Sequence, residues 1–126
     1  MYVIASDATD VSRATGRVLI AGTEADLDSI RAIVALLGDK ARGQVFVEVA
    51  TASDIDPIAT PERVTVAWLP RDVRSGAMGS GLACAPGQAV ERAVTAWMGE
   101  MSTGLADFDG DDLCVWFAGD AEILSR

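Results

Sequence analysis

What this chain can fold into is constrained most by a few short, nearly continuous apolar runs: Arg17–Gly22, Val45–Val49, Val64–Leu69 and Leu113–Ala118. A strand with one wet face alternates apolar and polar side chains. The run Arg17-Val18-Leu19-Ile20-Ala21-Gly22 does not alternate, and this is expected of a strand covered on both faces in a parallel sheet. After it, Leu27, Ile30, Val34 and Leu37 recur at helical spacing until Gly38 stops the pattern. Thr23, with Asp26 three residues on, stands where an N-cap belongs. Strand, tight turn, helix and the strand Val45–Val49 complete a βαβ unit.

The segment from Ala50 to Glu62 holds Pro57, Pro61 and several aspartates, and reads as a connection with little or no helix before the strand Val64–Leu69. Asp72 to Gly87 is rich in Gly, Ala and Ser without a period, and is expected to be a loop. Val90, Val94, Trp97 and Met101 then mark an amphipathic helix from about Gln88 to Met101, with Gly99 weakening its end. The acidic stretch Asp107–Asp112 is expected to turn into the last strand, and Ala121–Leu124 is a short helical candidate. Tyr2–Ala5 reads as an extra edge strand, but the polar linker before Arg17 shows no crossover helix, so its place in this sheet or in a partner's stays open.

At 126 residues the chain has room for one core, assigned to residues 17–126, with residues 1–16 an N-terminal extension or edge strand. Half of the residues are hydrophobic and 23% are charged, a globular balance. The net charge of −9 opposes binding to a nucleic-acid backbone or an anionic membrane surface. The opening Met1-Tyr2-Val3-Ile4-Ala5 is too short for a signal peptide or membrane span, and Cys84 and Cys114 form no disulfide or zinc pattern, so a cytoplasmic protein with reduced thiols is expected. Histidine is absent, which removes the usual general base and the commonest metal ligand.

Strands separated by helical patterns predict an α/β fold, a Rossmann-like, mostly parallel sheet with flanking helices. In such sheets ligands lie in the crevice at the carboxyl ends of the strands, here Gly22-Thr23-Glu24, Trp68-Leu69-Pro70-Arg71 and Ala118-Gly119-Asp120.

The order of pieces has a familiar form. A strand ends in Ala21-Gly22, a helix carries Leu27 and Ile30, and an Arg42-Gly43 precedes the Val45-Phe46-Val47-Glu48-Val49 strand. A Pro-containing linker, the strand end Val64-Thr65-Val66-Ala67-Trp68-Leu69-Pro70-Arg71 and a final Val115-Trp116-Phe117-Ala118-Gly119-Asp120 follow. From about Arg17 onward this resembles the C-terminal domain of the siderophore-interacting protein family, flavin-dependent, NAD(P)H-linked ferric-siderophore reductases. The resemblance implies a nicotinamide-binding domain of ferredoxin-reductase C-terminal type. Gly22, Thr23, Trp68, Arg71 and Gly119 then fall where NAD(P)H contacts would lie.

The departures from the family pattern matter as much. No flavin-binding barrel with an Arg-x-Tyr-[ST] type motif precedes Arg17, and the family's final helix and aromatic, basic C-terminal segment do not follow. The resemblance therefore implies no FAD site on this chain and no complete oxidoreductase activity by it alone. A flavoprotein partner, or a homodimer formed through Tyr2 to Ala5, is the expected association.

Weighed by their chemistry, the site residues divide. The turn Gly22-Thr23-Glu24 has one glycine rather than the three of a dinucleotide fingerprint, and Glu24, Asp26 and Asp28 place carboxylates where a helix N-terminus would attract phosphate. Arg71, with Arg74 nearby, is the best anion-binding candidate, against the plainer reading of a surface arginine paired with Asp72 or another acid. Trp68 offers a ring for stacking or simply a core side chain. Asp107, Asp109, Asp111 and Asp112 lack EF-hand spacing and read as a solvated turn, and Cys84 has no neighbouring base to activate it. No catalytic constellation and no metal site emerge. The rival to the nicotinamide reading is a non-catalytic interaction module on the same fold, its acidic surface recognising a basic partner.

Overall fold

The computed structural model describes residues 2–4, 17–39, 41–73, 87–103 and 113–117. Its strands are β1 (Tyr2–Ile4), β2 (Arg17–Thr23), β3 (Arg42–Val49), β4 (Arg63–Pro70) and β5 (Leu113–Phe117). Its helices are α1 (Leu27–Ala35) and α2 (Gln88–Thr103), with single 3-10 turns at Glu24–Asp26, Ala52–Asp54 and Arg71–Val73. The strands form one sheet in the order β1-β5-β2-β3-β4, and each of its four strand pairs is parallel. The α/β expectation therefore holds.

The period of two along each strand sorts the sheet into two cores. Val18 and Ile20 of β2, Val45, Val47 and Val49 of β3, Val64 of β4 and Cys114 of β5 pack with Ile30, Ile33 and Val34 of α1. Leu19, Ala21, Leu69 and Val115 pack with Ala89, Val90 and Val94 of α2 on the opposite face. Both faces of β2 are thus buried, and that is why its sequence runs apolar without alternation.

The element ends differ from the sequence expectation where backbone chemistry overrides periodicity. β3 starts at Arg42 and runs through Gly43, because Gly43 lies opposite Val18 with φ of 152° and a Cβ there would sit 1.9 Å from the Val18 carbonyl oxygen. α1 ends at Ala35, and Leu36 and Leu37 close it with i to i+3 bonds from their N–H groups to the carbonyls of Ile33 and Val34. α2 continues past Gly99 to Thr103. The Ala50–Glu62 connection contains only its 3-10 turn, as its prolines predict.

β1 lies at the sheet edge beside β5, in register from Tyr2 opposite Leu113 to Ile4 opposite Val115. It is therefore an edge strand of this sheet, separated from its sequence neighbour β2 by β5. Cys84, Arg74, the Asp107–Asp112 stretch, Ala118-Gly119-Asp120, the Ala121–Leu124 helix and most of the Asp72–Gly87 loop lie outside the described residues. Among the described residues no helix is long and apolar enough to cross a membrane, and none forms a group of acids, cysteines or histidines suited to a metal.

Candidate functional site

Parallel register brings the candidate residues to one edge. Thr23, Glu48 and Leu69 stand opposite one another across β2, β3 and β4, so the residues just past these strands emerge side by side. Glu24 follows β2 at once, and Arg71 follows Pro70 at the end of β4. The Asp72 N–H donates to the Ala50 carbonyl (3.2 Å), which fixes the turn carrying Arg71 against the end of β3. From there the guanidinium reaches across β3 toward β2.

Arg71 makes a fork-to-fork pair with Glu24: its Nη2–H donates to Glu24 Oε1 (2.6 Å) and its Nη1–H to Glu24 Oε2 (3.0 Å). Nη1–H also donates to Glu48 Oε2 (2.9 Å). The Glu48 side chain is wholly buried, and a buried carboxylate is tolerable only when paired and fully hydrogen-bonded. It is. Oε2 accepts from the Gly87 N–H (2.7 Å), and Oε1 from the N–H groups of Ala89 (2.7 Å) and Val90 (3.1 Å). Glu48 thus caps α2 from a neighbouring strand, supplying the acceptor and the negative charge that a helix N-terminus favours.

The electrostatics follow from the same contacts. The hydrogen bond from Arg71 holds the Glu24 carboxyl below its usual range against the opposing effect of burial. The Glu24 hydrogen bond, with a smaller contribution from Glu48, pushes the already high Arg71 pKa further up, so this cation stays charged. Two carboxylates against one guanidinium leave the cluster net negative.

The remaining sequence candidates go elsewhere. Thr23 caps the turn that opens α1: its Oγ1 accepts from the Ala25 N–H (3.3 Å) and its own N–H donates to Asp26 Oδ2 (3.0 Å), the expected capping box. Gly22 serves close packing, since a Cβ there would lie 3.0 Å from Asp26 Cβ and 3.2 Å from Ile30 Cδ1. Trp68, in register with Gly22 and Val47, packs half-buried on the α1 face, with the sheet between it and Glu48. Gly119 lies outside the described residues. Arg71 is paired with acids, though with Glu24 and Glu48 rather than Asp72.

Glu48 is the residue that sequence reasoning missed. Its signals were a lone charge within an apolar strand and a helix opening at Gly87-Gln88 with no Ser, Thr, Asp or Asn beside it to cap it. Each alone is common; together they say that a distant carboxylate meets an uncapped helix.

At the other side of the edge lies the reversal of strand order. From β2 the chain winds outward to β3 and β4, then returns across β2 to β5. The carboxyl ends of β2 and β5 therefore flank a topological switch point, the place where open α/β sheets take ligands. The small, buried Ala21 and Gly22 precede the last residue of β2, and the partly buried ring of Phe117 stands in register beside Ala21.

A family model described as siderophore-interacting protein matches residues 15–126. Two solved structures are similar in fold. One is the siderophore-interacting protein SipS from Aeromonas hydrophila, at a TM-score of 0.54 and 20% identity over 87% of this chain and 36% of that one. The other is a siderophore utilization protein from T. fusca, at 0.56 and 23% over 89% of this chain and 36% of that one. The chain thus spans about a third of the length of these structures. No curated protein matches it.

Proposed function

The chain belongs to the siderophore-interacting protein family, and from that premise we propose that these residues form a nicotinamide-nucleotide-facing domain, not catalytic alone, that works against a flavin held outside them. The observation that carries this reading is the reversal of strand order between β2 and β5. Gly22 and Thr23 of β2 and Phe117 of β5 are the described residues that border this switch point, and the partly buried Phe117 offers a ring against which a planar group can rest.

The fit to NADH or NADPH is one-sided. The β2–β5 side offers small residues and an aromatic ring, whereas the β3–β4 side is occupied by the chain's own ions: Glu48 fills the N-terminus of α2 and Glu24 fills the fork of Arg71. Gly22 and Thr23 would hold the nucleotide from β2, with Gly119 beyond β5. Trp68 borders the same edge from the α1 face. Bound there, the nicotinamide supplies a hydride for the flavin; this chain's part is to bind and orient it.

Titration calorimetry of NADH and NADPH at low salt tests the proposal. We expect weak binding, on the order of 0.1–1 mM, that tightens when a flavoprotein of the same family is added. Flat titrations in both conditions would overturn it.

The closed β3–β4 side specifically favours a second reading, a module that kept the fold and recognises a basic protein through its acidic edge. Capture of a basic partner in a salt-sensitive complex, together with flat cofactor titrations, would put that reading first.

A further inference from the structure

Arg71 is held by two carboxylates of very different standing. The Glu48 side chain is fully buried and also receives three backbone N–H groups, so it cannot leave without stranding the start of α2. The Glu24 side chain is 38% exposed and lies on a short 3-10 turn, from which it can swing into solvent. Arg71 itself is only 14% exposed and is pinned from below by Glu48. If Glu24 moves away, the guanidinium stays in place with its outer fork free. A carboxylate and a phosphate present the same paired oxygens to such a fork, and a phosphate monoester brings more charge.

We propose that the outer fork of Arg71 is a seat for a phosphate monoester that the chain keeps filled with its own Glu24 carboxylate. Glu24 is then a gate as well as an ion-pair partner: a phosphate enters only by displacing it, so weak anions are refused and the seat stays closed until a ligand has other contacts to contribute. The presence of the seat rests on geometry alone; the idea that its phosphate belongs to a nucleotide rests on the function proposed above. A free phosphate and the 2′-phosphate of NADPH share this chemistry, whereas NADH lacks the monoester.

The test is calorimetric titration of inorganic phosphate, at constant ionic strength, into the full chain and into Glu24→Gln, which empties the fork of charge at an exposed position. Phosphate should bind Glu24→Gln about tenfold more tightly than the parent, the scale of one partly exposed bidentate ion pair. Adding Arg71→Lys to Glu24→Gln keeps a cation against Glu48 but removes the fork, and should abolish the gain. Equal phosphate affinity in the parent and Glu24→Gln, or a gain that survives Arg71→Lys, would overturn the seat. NADPH and NADH separate the sources: a gain for NADPH alone on Glu24→Gln identifies the nucleotide's own phosphate. If Glu24→Gln gains phosphate while neither nucleotide binds, the seat stands and the nucleotide reading falls. If both nucleotides bind the parent and Glu24→Gln gains no phosphate, the seat alone falls.

Discussion

The two helices among the described residues start in opposite ways. α1 follows directly on a 3-10 turn that is capped by its own neighbours, Thr23 and Asp26, three residues apart. α2 is opened by Glu48, which reaches its first turn from 39 to 42 residues away. The first arrangement is local, partly exposed and replaceable; the second is buried and joins β3, β4 and α2 at one carboxylate. Stability at the carboxyl edge of the sheet should therefore be distributed unequally, with the greater share on the α2 side.

The largest expected effect follows directly. Glu48→Ala strands the Arg71 cation and the N–H groups of Gly87, Ala89 and Val90 together, and should cost about 3–5 kcal/mol in urea unfolding. A loss below about 1 kcal/mol would mean that the two helix starts are equivalent after all. Next comes the packing of β2 against β3: Gly43→Ala drives a methyl into the Val18 carbonyl and strains a positive φ, for about 3 kcal/mol by the same measurement. On the α1 side, Thr23→Ala should cost only about 1 kcal/mol, the usual worth of one side-chain cap. If its cost matched that of Glu48→Ala, the contrast would fail.

The smallest effect is a pH dependence. The Glu24 carboxyl titrates lower in the folded chain than when unfolded, so its pairing with Arg71 contributes stability above the unfolded value, about 4.3, and loses it as pH falls through the depressed folded value. The side chain is 38% exposed and solvent screens it, so the contribution should stay under about 1 kcal/mol. Unfolding curves of the parent and Glu24→Gln should differ by a constant amount above about pH 5 and converge in acid. Curves parallel down to the lowest pH would show that the pair adds nothing.

What was legible in the sequence follows the same division. The runs Arg17–Gly22 and Val45–Val49, the α1 spacing and the Thr23/Asp26 box are short-range patterns, and each appears as an element of the expected kind. The passage of β3 through Gly43 was not legible, because it depends on how near Val18 of another strand comes. That Arg71 pairs with acids was legible, but which acids was not: the residues alone left Asp72 or any other acid as the partner, whereas parallel register brings Glu24 and Glu48 from two other strand ends. The structure joins Arg71 to Glu48, a strand residue that periodicity alone does not single out.

The proposed nucleotide seat lies on the β2–β5 side of the carboxyl edge and the Glu48 cap of α2 on the other, and a single titration separates the two. In ¹⁵N-labelled protein titrated with NADPH, the amides of Gly22, Thr23 and Phe117 should shift while those of Ala89 and Val90, held by Glu48, stay in place. Shifts centred on Ala89 and Val90 would show that the nucleotide displaces Glu48 from the start of α2, and a spectrum unchanged at millimolar cofactor would show that neither side receives it.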